Sequence, residues 1–118
     1  IFAAVARREE PPRRDLDLLA DGYAGAVSRG RLRRAKDLFT LATPGPRTLE
    51  TLLGEVCASA VDLLTRGPLE RVGECPSCGW LFLDTSRNGR RRWCSMATCG
   101  SRDKARRYYT AHMAGPAT

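Results

Sequence analysis

The chain has very little histidine and no long hydrophobic run. His112 is the single histidine among 118 residues, and neither a nucleophile–base constellation nor a glycine-rich phosphate-binding loop is present. We therefore expect that this chain is not an enzyme. Its longest uncharged apolar runs are far shorter than the roughly 20 residues that cross a bilayer. We expect no membrane-spanning helix.

An initiator methionine is also lacking, because the sequence begins at Ile1. We expect that further residues precede Ile1 in the full protein. On this interpretation residues 1–70 are the later part of a truncated domain, and residues 71–118 form a second domain.

Acidic residues are almost absent from the C-terminal part. Residues 85–118 hold one acid, Asp103, against eight basic residues, whereas residues 1–84 hold 12 of each. The whole net charge of +7 therefore lies after residue 84. This asymmetry indicates a polyanionic partner, with nucleic acid ahead of an anionic membrane surface, and a solubilising tail is the alternative. The eight candidate nucleic-acid contacts are Arg87, Arg90, Arg91, Arg92, Arg102, Lys104, Arg106 and Arg107.

Four of the five cysteines form two closely spaced pairs. Two residues separate Cys75 from Cys78, four separate Cys94 from Cys99, and fifteen lie between the pairs. Zinc in a structural role takes four thiolate or imidazole ligands in a closed tetrahedron. The spacing predicts one structural Zn²⁺ on these four cysteines, with two disulfides or thiols without a metal as the alternative, and it favours a cytoplasmic protein.

The residues before the cysteines predict a mainly helical segment. Apolar residues at helical spacing predict helices from about residue 14 to 27 and, most strongly, over 49–66. Thr48 is the expected N-cap of the second helix, and Gly67 follows its end. Residues 31–42 fit a helical period, and a hairpin is the weaker alternative.

The cysteine-rich part predicts a treble-clef-like finger built from a knuckle, a β-hairpin and a helix. Residues 80–83 and 90–93 are the expected strands, joined by a turn at Asn88–Gly89. A helix is expected from Ser101 to about Met113. The fold class is therefore α+β, with a mainly helical N-terminal part before the four-cysteine zinc finger.

The run from Cys75 to Tyr108 reads CPSCGWLFLDTSRNGRRRWCSMATCGSRDKARRY. It closely resembles the CGNR zinc-finger family of bacterial stress-induced transcription regulators. The resemblance implies that the four cysteines bind zinc and that the finger binds DNA. It also implies that residues 1–70 are the later part of an upstream ABATE domain, which senses a signal or a small-molecule effector. The family motif Cys-Gly-Asn-Arg differs here, because Ser101 replaces the asparagine.

The serine at this position is an acceptable helix cap, so we expect the fold to tolerate the change, although an amide that could read a base edge is lost. We expect Trp80 and Trp93 to pack in the core of the finger, and Tyr108 and Tyr109 to pack against it or against the upstream domain. Asp103 is expected to pair with Arg107 at i,i+4 spacing.

These features together predict a transcription regulator in the bacterial cytoplasm. Its N-terminal part would sense an effector or form a homodimer, and its finger would bind duplex DNA with no membrane partner. Two alternatives stay open. The basic finger would dock an acidic protein partner in one of them, and it would bind RNA in the other.

Overall fold

The computed structural model describes residues 1–113, and its chain is divided into two compact units. Unit 1 contains Ile1 and residues 11–69, and unit 2 contains residues 2–10 together with residues from 70 onward. The α+β fold class is confirmed. The regular elements are α1 (Phe2–Ala6), α2 (Arg13–Arg29), β1 (Arg31–Ala35), β2 (Leu38–Ala42), α3 (Leu49–Arg66), β3 (Val72–Glu74), β4 (Leu81–Leu83) and α4 (Ser101–Met113).

Unit 1 is built on the close packing of helices α2 and α3. Both expected helices are confirmed, and Thr48 caps α3 by accepting a hydrogen bond from the Thr51 amide. Glycine allows the close approach of the two helices. A Cβ at Gly22 would lie 2.8 Å from Sγ of Cys57, and one at Gly54 would lie 2.9 Å from Cβ of Ala26. Cys57 is thereby the small buried thiol of this unit.

The region from residue 31 to 42 is a β-hairpin, so the favoured helical prediction was wrong. Strands β1 and β2 pair antiparallel, with Leu32 opposite Leu41 and Arg34 opposite Phe39. The turn between them puts Lys36 at a φ of +56°, in the left-handed region. The spacing of the apolar residues does not distinguish a helix from a hairpin here, because the same residues also fit two short strands joined by a tight turn.

Unit 2 combines the metal-binding residues with the first helix of the chain. Helix α1 packs on strands β3 and β4. Arg7 anchors this segment through a bidentate pair with Glu74, at 2.7 Å from Nε to Oε2 and 2.8 Å from Nη2 to Oε1. The compact unit thus includes residues 2–10 in addition to the predicted range 71–118, of which residues 114–118 lie outside the described part.

The hairpin of the finger pairs differently from the prediction. Strand β4 pairs antiparallel with β3, with Val72 opposite Leu83 and Glu74 opposite Leu81, and residues 90–93 are not a strand. The cysteine turn itself joins the two strands, so their pairing needs almost no loop closure. None of the helices within residues 1–113 is both long and apolar enough to cross a membrane.

Candidate metal centre and basic surface

The first cysteine pair lies on a tight turn between β3 and β4, which we call the knuckle (residues 75–80). The amide of Gly79 donates to the carbonyl of Cys75 at 2.8 Å, and the amide of Cys75 donates to the carbonyl of Trp80 at 2.8 Å. Gly79 has a φ of +72°, which a glycine adopts without strain. These bonds turn the chain so that both knuckle sulfurs face one point.

In the second cysteine pair, Cys99 lies on a π-helical turn, Met96–Gly100, that runs directly into α4, and Cys94 lies two residues before this turn. The helix predicted from Ser101 to about Met113 is confirmed, and Ser101, as its first residue with helical torsion angles, lies inside the helix and does not cap it from outside. Its hydroxyl donates instead to the carbonyl of Met96 at 3.0 Å. The serine therefore stabilises the turn that carries Cys99.

The four sulfurs form a cluster of the size that zinc requires. All four ligand atoms lie within 4.8 Å of one another, with 3.6 Å from Cys78 to Cys94 and 3.6 Å from Cys94 to Cys99. A Zn–S bond of about 2.3 Å in a regular tetrahedron places sulfurs about 3.8 Å apart. All five cysteines are free thiols, so the disulfide alternative was wrong. The residues fit one structural zinc ion.

The electrostatics of the cluster also favour a cation. Burial opposes ionisation of Cys75, but backbone hydrogen bonds from Cys94 and Ser77 outweigh it and lower the pKa of this thiol to about 6. Burial and the neighbouring thiols raise the pKa of Cys94 to about 12. Four thiols this close together cannot all lose their protons unless a positive charge compensates the four thiolates, and a divalent ion supplies that charge.

A small apolar core surrounds the cluster. Trp93 is 8% exposed and packs against Cys75 and Cys99, with Phe82 beside them. The ring of Phe82 lies over Gly73, where a Cβ would come within 2.8 Å of it. The prediction that Trp93 belongs to the core is confirmed, whereas Trp80 is 71% exposed and the same prediction for it was wrong.

The segment after β4 is a loop organised by the buried carboxylate of Asp84. Oδ1 accepts from the amide of Ser86 and Oδ2 from the amide of Arg91, each at 2.8 Å. Arg71 contacts the same loop by donating to the carbonyls of Asp84 and Ser86. Hydrogen bonds from Ser86 lower the pKa of Asp84 despite the opposing effect of its burial, with further lowering by Arg91 and Arg71.

We expect Asp84→Asn to lower the melting temperature of unit 2 by several degrees, because an amide offers one acceptor where two backbone amides need one each. Since the pKa of Asp84 is lowered in the folded state, its stabilisation is complete above the unfolded value near 3.8 and is lost as pH falls through the lower folded value. The measurement is thermal unfolding between about pH 5 and 8, where the difference should be constant. Thr85→Ala, at the exposed neighbour, is the control, and equal melting temperatures for the Asn variant and wild type would contradict this role.

The eight candidate nucleic-acid contacts fall into two groups. All eight are exposed, but within residues 1–113 only four of their side chains make no hydrogen bond, ion pair or ring contact. The engaged residues are Arg91, which lies over the ring of Phe82 and donates to the carbonyls of Trp93 and Cys94, Arg92, which lies over the ring of Trp93, and Arg106 and Arg107, which both pair with Asp103. The free residues are Arg87, Arg90, Arg102 and Lys104.

Helix α4 exposes its two tyrosines and buries Asp103. Tyr108 is 60% and Tyr109 63% exposed, so the prediction that they pack in the core of the finger was wrong. Asp103 is 7% exposed and lies 2.7 Å from Arg106 and 3.1 Å from Arg107, which confirms the predicted i,i+4 pair. His112 is exposed and stacks on Tyr108, away from the sulfur cluster.

Sequence reasoning missed three residues of this site. Asp84 stood directly after an apolar run, where an Asx-type turn is a recognisable signal. Arg71 and Arg7 lie far from the cysteines in sequence, and nothing in their local pattern connects them to the finger.

Two family models match the chain. Residues 71–112 match the CGNR zinc finger, and residues 1–67 match ABATE, described as "Putative stress-induced transcription regulator". No curated protein matches the sequence. The matched segments cover both the helical part and the zinc-binding cysteines, and they support a zinc-binding regulatory role. The chain belongs to the ABATE family and carries a CGNR zinc finger with one structural zinc ion.

Proposed function

We propose that the zinc finger binds duplex DNA and that the chain acts in the bacterial cytoplasm as a transcription regulator with no catalytic activity of its own. The observation that supports this is the placement of charge. The whole net charge of +7 lies after residue 84, and within residues 1–113 four of the basic side chains there have no protein partner. Unpaired cations on a small rigid unit are typical of surfaces that neutralise phosphates.

The free cations belong to two surfaces of the finger. Arg87 and Arg90 line an open depression of about 690 Å³ that also includes Trp93 and Met96. Arg102 and Lys104 project from the first turn of α4. Arginine can hold a phosphate or a guanine edge with two parallel hydrogen bonds, whereas lysine acts as a point charge.

The engaged arginines are weaker candidates for phosphate contacts. Asp103 offsets part of the charge of Arg106 and Arg107. The guanidinium of Arg91 is committed to two backbone carbonyls and to the ring of Phe82. Removing one of these side chains would disturb the finger itself, so the free cations give the cleaner test.

We expect the double variant Arg90→Ala/Arg102→Ala to weaken duplex binding and to lower the slope of log affinity against log salt by about 2, since each lost phosphate contact removes about 0.9. Fluorescence anisotropy of a labelled duplex between about 50 and 200 mM salt measures both quantities. The matched control, Arg14→Ala/Arg33→Ala, removes two exposed cations without a side-chain partner from unit 1 and should leave binding unchanged.

Absence of duplex binding at low salt, or an equal loss in the control pair, would contradict DNA binding. Binding of an RNA or of an acidic polypeptide in place of the duplex would favour the two alternative functions.

We also propose that unit 1 self-associates through its hairpin. A two-stranded sheet is only marginally stable alone. Here Leu32, Phe39 and Leu41 lie on the same face of the hairpin, and each of these residues is between 51% and 72% exposed. Phe39→Asp should therefore convert a dimer to monomer in sedimentation velocity, and Thr40→Asp, on the opposite face, should not. A monomeric unsubstituted chain at the highest concentration reached would exclude this interface.

A further inference from the structure

Trp80 is the more exposed of the two tryptophans, although its backbone is held by two hydrogen bonds. Its carbonyl accepts the amide of Cys75 at 2.8 Å, and its own amide donates to the sulfur of Cys78. The side chain is 71% exposed, and no aromatic or cation contact to it is present among residues 1–113. The zinc knuckle therefore presents an unused indole ring on a fixed backbone.

The ring borders a shallow depression beside the metal centre. Its volume is about 470 Å³, and it is lined by Cys78, Trp80, Cys94, Thr98, Cys99 and Arg102. Arg102 is one of the cations that lack a partner within the described residues. An exposed indole and an unpaired guanidinium at one open site fit a flat, π-rich group that is joined to an anion.

We propose that this depression, the Trp80 site, binds an unpaired nucleotide, with the base stacked on Trp80 and its phosphate contacting Arg102. A base is neutral, so it can lie against the zinc–thiolate face, which is anionic when four thiolates hold one Zn²⁺. The phosphate needs the cation. Base stacking on an aromatic side chain does not depend on the base, so the site selects unpaired over paired nucleotides and not one sequence over another.

This site extends the proposed function, because the finger would then engage duplex phosphates through its free cations and a locally unpaired nucleotide through Trp80. A base inside a duplex is already stacked on its neighbours and would have to be extruded before it reached the ring. Both kinds of strand use Arg102, but only the unpaired strand needs the ring of Trp80, so the two affinities can be separated at Trp80.

The test uses the full zinc-loaded chain and three probes of equal length: a thymidine strand, a uridine strand and a fully paired duplex. We expect Trp80→Ala to weaken binding of the unpaired strands by about tenfold or more, because stacking a base on an aromatic residue has an effect of this size. Trp80→Phe, which keeps an aromatic face, should recover most of the affinity. Duplex affinity should change by less than about twofold.

Tryptophan fluorescence gives a second readout. The unpaired strands should quench the emission of wild type, and the quenching should disappear in Trp80→Ala, whose remaining Trp93 is buried. A stronger effect on the thymidine or the uridine strand would identify DNA or RNA as the source of the nucleotide.

Two results would overturn the site: equal effects of Trp80→Ala on paired and unpaired probes, or no effect on either. If the duplex binds in a salt-dependent way and Trp80→Ala weakens no probe, the proposed function stands and the Trp80 site fails. Trp80-dependent binding of unpaired strands without duplex binding would do the reverse.

Discussion

Cys75→Ser is expected to abolish zinc binding and to unfold unit 2 while α2 and α3 remain helical. Cys75 is the most buried ligand of the cluster, so its loss removes one of the four bonds that close the zinc shell. A structural zinc supplies on the order of 10 kcal/mol to a unit of this size, which has too small a core to fold alone.

The measurement combines the zinc content per chain with circular dichroism and limited proteolysis. Zinc should fall from one equivalent to none, the helical signal of α4 should disappear, and cleavage should start within residues 70–113. Chelation of the wild-type chain should give the same result.

Cys57→Ala is the control, because Cys57 is buried in unit 1 and lies outside the cluster. It should retain one zinc ion. Retention of zinc and of the helical signal by Cys75→Ser, or release of zinc by Cys57→Ala, would contradict the assignment of the ligands.

Trp93→Ala is expected to destabilise unit 2 by about 3–5 kcal/mol, which is typical for the loss of a large buried aromatic side chain. The ring is 8% exposed and closes the core against Cys75 and Cys99. Folding and zinc binding are coupled in such a unit, so its apparent zinc affinity should fall by about a hundredfold or more.

Competition with a chromogenic chelator measures the zinc affinity, and thermal unfolding measures the stability. The chain offers a matched control in Trp80→Ala, which deletes the same side chain from a site that is 71% exposed. We expect this control to change stability by less than about 0.5 kcal/mol. Similar losses for the two variants would show that the core does not depend on Trp93.

The sequence alone determined the metal site and the strongest helix. Ligand spacing is a local property, since two cysteines separated by two residues reach one ion from a single turn, and the sulfurs were placed together as expected. Helix α3 begins and ends at the predicted residues because its cap, its apolar repeat and the glycine after it all lie within the segment.

Tertiary structure decided the pairing and the exposure. Residue patterns predicted a strand over 80–83, and 81–83 is one, but its partner is β3, because the knuckle joins these two segments through a shorter loop than the predicted hairpin needs. The same holds for the tryptophans. Both are large apolar residues of the kind found in cores. The path of the chain around the cysteines buries Trp93 and leaves Trp80 exposed.

The basic surface shows the same division. Which residues bear charge was determined by the sequence, since charge is a property of composition. Ion pairs with the buried Asp103, ring contacts and carbonyl acceptors then occupied four of the eight cations within the described chain. Which cations remain free for a polyanion depends on contacts made in the folded chain, and local patterns do not specify those contacts.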